Sequence, residues 1–432
     1  MEAKKTKVEA KKTLLSTLIK SVDELKGEIQ KNRGIRSFRE LIVDSESDAV
    51  KVSVDKNLAN PGEWQLEVVQ LAQKSSVFSN AFEDKDKTYL GVGTISYELP
   101  NGESREIYVD AAHSSLTGVA KLINGDSESG MKASVVNDGK DEDKPWRLVI
   151  ALDKAGDKFK AEWPYFYLVD GEEDLYLAEK RDGRDAKIKM DGFEIELPEN
   201  KIKNIIPGAV VDLKKAKPGE EFTVAIKEDT SKITDKMTGI VEKLNAVLKF
   251  IKDQNSLTEK SDTSTTLGGD SVLRQIESRI RDTVFNNVQT SKGSKRIGDL
   301  GLVFNKAGLI DFDSKKFENS LSQDYKTASE IVVGIYKPDG TKTDGFLDNV
   351  NKMTELTLQR PYGPLTNRKD GLQSNIDQID RQIETKKRMV AQKEQSLKDK
   401  FARLEETMAR IKGQGVGLAG LGASGGDPTQ LG

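Results

Sequence analysis

Histidine occurs once in the 432 residues, at His113, and cysteine does not occur. Paired-histidine metal sites, thiolate ligands, disulfides and cysteine nucleophiles are therefore excluded at the outset. His113 lies in DAAHSSL beside Ser114 and Ser115, the residue types of a base-activated hydroxyl. Neighbours in sequence do not point at one another as that pair must, and an orienting third group is missing, so the stretch reads as a loop leading into a helix. Gly415, Gly417 and Gly420 satisfy the spacing G-x-G-x-x-G. That spacing cradles a pyrophosphate only between a strand and a helix; here it follows a long helical pattern and reads as tail. Asp311 and Asp313 suggest the start of a calcium loop, but its glycine and closing glutamate are absent. No catalytic residue, cofactor or metal is assigned, and the chain reads as a non-enzyme.

The elements that remain carry the information. Charged residues make up 32% of the chain and aromatic residues 6%, a polar balance with little material for one large core. Two or three domains are expected at this length. The formal net charge is -3 and unevenly spread: residues 1–33 carry nine Lys/Arg against five Asp/Glu, and residues 373–412 carry ten against seven. Basic residues so interleaved with acids make a solvated helix surface, not a nucleic-acid footprint. The start has no apolar core of a cleaved signal and no run of about 18 apolar residues occurs, so no membrane contact is expected.

Both ends show coiled-coil periodicity. Val8, Leu15, Leu18, Val22, Leu25 and Ile29 mark one apolar stripe; Ile376, Ile379, Ile383, Val390, Leu397, Phe401, Leu404, Met408 and Ile411 mark the other, with Leu372 ahead of them. Such narrow stripes are helix-pairing seams. Pairing of the two within one chain would be antiparallel, with the intervening residues as an insertion. Residues 49–228 read as that insertion: strands alternate in AVKVSVD, WQLEVV and TISYEL, and Asp191-Gly192 is a tight-hairpin dipeptide. One helix, SLTGVAKLIN, interrupts them, capped by Ser114 or Ser115. From Thr230 a helical stripe resumes behind a Thr or Ser cap, followed by a Ser/Thr/Gly-rich linker at 255–271, a second helix at Leu273 to Val284, and a hairpin turning at Lys306 to Gly308.

The expected fold is α+β, a terminal antiparallel helical coiled coil or bundle with inserted β-rich domains. The expected divisions are a helical start at 1–48, β-rich domains at 49–228 with an inner insertion near 70–185, a helical domain with a small hairpin at 229–372, a coiled-coil helix at 373–412, and a flexible glycine-rich tail at 413–432.

Several stretches resemble the FliD family, the flagellar hook-associated protein 2 or filament-cap proteins. They are WQLEVVQLAQ, SLTGVAKLINGDSESGMKASVVNDG, DAKIKMDGFEIELPENKIKNIIPGAVVDLKKAKPGEEFTVAIKED, GLVFNKAGLIDFDSKKFENSL and QIETKKRMVAQKEQSLKDKFARLEETMARI, in the family's order and over nearly the full length. The resemblance implies a homo-oligomeric ring at the tip of the bacterial flagellum, contact with flagellin and the filament end, export by the flagellar type III route without a cleaved signal, and a cytoplasmic chaperone holding the C-terminal helix. The family opens with a short glycine-containing segment and this chain opens on a helical pattern, so a truncated start is the expectation. The alternatives are another flagellar axial protein, such as a hook–filament junction protein, and a surface adhesin on a helical stalk.

Overall fold

The computed structural model describes residues 1–99, 102–159, 162–256, 262–337 and 339–422. In chain order the elements are α1 (Glu2–Asn32), α2 (Ile35–Phe38), β1 (Leu41–Ser45), β2 (Val50–Val54), β3 (Gly62–Gln70), β4 (Lys74–Ser79), β5 (Val92–Glu98), β6 (Ser104–Val109), α3 (Leu116–Gly125), β7 (Met131–Asn137), β8 (Trp146–Ala155), β9 (Tyr165–Val169), β10 (Leu177–Arg181), β11 (Ala186–Met190), β12 (Phe193–Leu197), β13 (Lys201–Lys203), β14 (Ala209–Leu213) and β15 (Phe222–Glu228). There follow α4 (Thr230–Asn255), α5 (Ser271–Phe285), β16 (Asn287–Thr290), β17 (Gly293–Arg296), β18 (Leu302–Phe304), β19 (Ile310–Phe312), α6 (Ser314–Gln323), α7 (Tyr325–Val333), α8 (Phe346–Leu358) and α9 (Pro364–Gly422). The fold class is α+β, with β-rich material inserted between terminal helices.

Two compact units divide these elements: Met1–Phe38 with the chain from Thr234 onward, and Arg39–Ile233. The first division therefore falls at 38 and not at 48, because β1 pairs antiparallel with β15 from Leu41↔Glu228 to Ser45↔Val224 and joins the β-rich unit.

The β-rich unit holds two cores. In the first, the five-stranded sheet β1-β15-β3-β11-β12 and the three-stranded sheet β13-β14-β2 bury Leu66, Val68, Ile188, Val211 and Val224. Burial of each such side chain favours the fold by about 1.5–3 kcal/mol. The hairpin of β11 and β12 turns at Asp191 and Gly192, whose φ values of 49° and 83° are both positive, as the two-residue turn requires. The second core lies within residues 74–181, where the sheets β10-β4-β8-β7 and β6-β5-β9 close over α3 and bury Ile95, Leu116, Val119, Ile123 and Ile150. Ser115 caps α3 by accepting from the Gly118 N–H at 3.2 Å. Gly118 is required there, since a Cβ at that position would lie 2.3 Å from the His113 carbonyl oxygen.

In the helical unit, Met237, Ile240, Leu244, Val247 and Ile251 of α4 and Leu273, Ile276, Ile280 and Val284 of α5 are buried at the spacing their sequence shows. Helix starts are fixed by aspartates. Asp270 caps α5, Asp313 caps α6 and Asp324 caps α7, while α4 starts behind Asp229, which accepts from the Lys232 N–H at 3.0 Å. That cap replaces the Thr or Ser expected from sequence: a carboxylate is an equally good acceptor and also favours the positive end of the helix dipole. The hairpin of β18 and β19 is held to α4 by Asn245, which donates to the Ile310 carbonyl and accepts from the Ile310 N–H, both at 2.8 Å.

Candidate functional site

None of the chemical candidates assembles a site. His113 Nδ1 lies 2.7 Å from Asp110 Oδ1 in an exposed turn, and Ser114 Oγ is buried without a hydrogen bond to it. Asp313 is a helix cap, and Asp311 accepts from Asn305 Nδ2 at 2.8 Å. Among the described residues no three His, Asp or Glu side chains converge as metal ligands, and no helix is long and apolar enough to cross a membrane.

The terminal helices do come together. Lys5 Nζ of α1 lies 2.7 Å from Asp380 of α9, and Lys12 donates to Gln373 Oε1. The two contacts are one heptad apart on each helix and run in opposite directions, which defines an antiparallel pair. Asp380 holds the Lys5 ammonium above its ordinary range by hydrogen bonding, against the opposing effect of burial. Between and beyond these contacts, Leu15, Leu18, Val22, Leu25 and Ile29 of α1 are buried, and Val8 is half-buried. On α9, Leu365, Leu372, Ile376 and Ile379 are buried and Ile383 is half-buried.

Beyond Ile383 the situation reverses. Met1 and Ala3 border a cavity shared with Ile383 and Val390. Val390, Leu397, Phe401, Leu404, Met408 and Ile411 are 47–66% exposed. Periodicity shows that this face is apolar, but it does not show what covers it. The spacing of seven from Val390 to Leu397, Leu404 and Ile411, with Phe401 and Met408 between, gives a seam of about 32 Å at 1.5 Å per residue. Its flanks are basic: residues 384–412 carry nine Lys/Arg against five Asp/Glu.

Two further expectations concern the chain past this seam and the linker. α9 continues as helix through Gly415 to Gly422, past the point where a tail was expected at 413; residues 423–432 lie outside the described residues. Of the linker at 255–271, residues 257–261 lie outside them also, while Asp262 pairs with Lys7 at 3.4 Å. The residues that sequence reasoning missed are the polar pairs flanking the seam, Lys5 with Asp380 and Lys12 with Gln373. The signal for the first was opposite charge at positions beside the apolar stripe on the two helices; the second joins an ammonium to a neutral amide and carried no such signal.

Comparison with known proteins agrees with this architecture. The chain is 24% identical over 375 residues to the B-type flagellar hook-associated protein 2 of Pseudomonas aeruginosa, an alignment spanning 79% of this chain and 77% of that protein. The crystal structure of the flagellar cap protein FliD D1-D2-D3 domains from Escherichia coli superposes with a TM-score of 0.59 at 19% identity, covering 84% of this chain and all of that one. The flagellar cap protein FliD from Bdellovibrio bacteriovorus is 42% identical over 42% of this chain and 98% of its own, with a TM-score of 0.38. Family models for the N-terminus and C-terminus of flagellar hook-associated protein 2 match residues 1–75 and 183–413, and the chain belongs to that family.

Proposed function

We propose that this protein is a structural and assembly component that forms an oligomeric cap at the distal end of the flagellar filament and promotes insertion and polymerisation of flagellin. The observation that carries the reading is the open seam of α9. A helix buried along its first five turns and then bare over six large apolar residues is built to receive another helix, since a lone stripe of this kind is stable only when covered. Helices of flagellin at the filament end are the partner in the assembled state, and a cytoplasmic export chaperone is the partner before export. The protein acts outside the cell after passage through the flagellar type III route without a cleaved signal. The absence of cysteine suits a chain threaded unfolded through a narrow channel, because no disulfide has to form or break on the way. Assembly, not catalysis, is its task.

The test mixes purified protein with filament seeds and flagellin, then counts occupied ends by electron microscopy. The intact chain is expected to seat at one end of each filament and support elongation. Elongation without end occupancy would contradict the reading.

A further inference from the structure

The exposed part of α9 carries a charge pattern beside its apolar one. With Val390 at a heptad d position, Leu397, Leu404 and Ile411 also fall at d, and Phe401 and Met408 fall at a. The g positions are then Lys386, Lys393, Lys400 and Thr407, and the e positions are Ala391, Lys398, Glu405 and Lys412. Side chains at e and g border the seam and meet the flanks of whatever helix covers it. The g flank thus holds three lysines and no acid, and all three are exposed. At 1.5 Å per residue they stand about 10 Å apart along the helix. Nearby acids pair elsewhere: Glu384 with Arg388 at 4.0 Å, and Glu394 with Lys398 at 3.1 Å.

This pattern makes a second copy of the same helix a poor occupant. An antiparallel copy would set g against g, and so lysine against lysine. A parallel copy gains one favourable flank pair, Lys400 with Glu405, but sets Lys393 against Lys398 and brings Lys387 and Glu394, both at a, onto the same residues of the other helix. Like charges so placed discriminate against that pairing. Resting on the reading that the seam receives a helix, we propose that its occupant is an amphipathic helix of another protein whose flank carries acids seven residues apart, selected by Lys386, Lys393 and Lys400. The apolar seam supplies the burial, and the lysine row chooses the partner and its register.

Two designed helical peptides test the proposal, both with leucine at a and d, one with glutamate at every e and g and the other with lysine there. Each repels itself, so the pair differs in the sign of the flank alone. By fluorescence anisotropy the intact chain is expected to bind the glutamate peptide about tenfold or more tightly than the lysine peptide. The difference should shrink at about 1 M salt, where charges are screened beyond about 3 Å. Lys386→Glu with Lys393→Glu and Lys400→Glu is expected to reverse the preference at an unchanged melting temperature, and the three corresponding arginine substitutions are expected to keep it. Leu397→Asp with Phe401→Asp and Leu404→Asp is expected to abolish binding of both peptides. Equal binding of the two, sensitive to the aspartate substitutions, would overturn the charge rule and leave the helix-binding seam standing. Binding of neither peptide, or binding indifferent to those substitutions, would overturn both. Self-association of the chain that the aspartate substitutions remove, measured by sedimentation, would put a second copy in the seam and overturn the proposal.

Discussion

Lys5 and Asp380 meet at 2.7 Å across the antiparallel pair of α1 and α9, and this contact fixes the register in which the two helices pair. Ile376 and Ile379 beside it are buried, and Ile383 one turn further on is half-buried. From Val390 to Ile411 the apolar positions of α9 are exposed among the described residues. The covered part of this helix packs within the helical unit, and the exposed part is the one the proposed function assigns to a partner.

Substitutions on the two parts should separate stability from assembly. Leu25 is fully buried, and Leu25→Ala is expected to destabilise the helical unit by about 2–5 kcal/mol. Leu397 stands on the bare part, and Leu397→Ala should change stability by no more than about 0.5 kcal/mol. Urea unfolding followed by helical circular dichroism measures both. Equal losses would mean that the bare seam is covered within the folded chain.

Acid should act through a helix cap. Asp324 is held at about 2, first by the Lys292 ammonium and then by the Thr327 hydroxyl and N–H, from an ordinary 3.8. A carboxylate depressed on folding adds stability above its unfolded value, and that contribution is lost as pH falls through the folded value. Asp324→Asn is therefore expected to be less stable than the parent near neutral pH, with the gap closing between pH 3.8 and about 2. Thermal melts across this range check it; a gap of constant size would rule out the linkage.

Asparagine clamps should matter more than their surface types suggest. Asn124 donates to the Ala133 carbonyl at 2.7 Å and accepts from its N–H at 2.9 Å, and Asn200 does the same for Ala72. Removing either amide strands two backbone groups in partly buried sites, so Asn124→Ala and Asn200→Ala are each expected to cost about 1–3 kcal/mol. Chemical denaturation of the β-rich unit gives the number. Losses below a few tenths would show that water replaces the clamp without cost.

Much of this structure can be read from the residues. The heptads of α1 and α9, the stripe from Met237 to Ile251, the Asp191-Gly192 hairpin and the cap at Ser115 all follow from local spacing and local chemistry. The caps at Asp229, Asp313 and Asp324 are less visible, because an aspartate before a helix looks the same as one in a loop until the N–H it accepts from is placed. Asn124, Asn200 and Asn245 are invisible for a related reason: each pairs with backbone far away in sequence or in another element, and nothing nearby signals it. The candidate site shows the sharpest limit. Val390, Leu397 and Phe401 have the pattern of buried residues, and only the structure shows them exposed among the described residues.

Binding of a partner helix at the exposed seam of α9, as proposed, should be separable from folding. A triple variant, Leu397→Asp with Phe401→Asp and Leu404→Asp, tests it most directly by occupancy of filament ends, read beside the melting temperature. An unchanged melt with loss of end occupancy is expected. Unchanged occupancy, or a collapse of the melt comparable to that of Leu25→Ala, would contradict it.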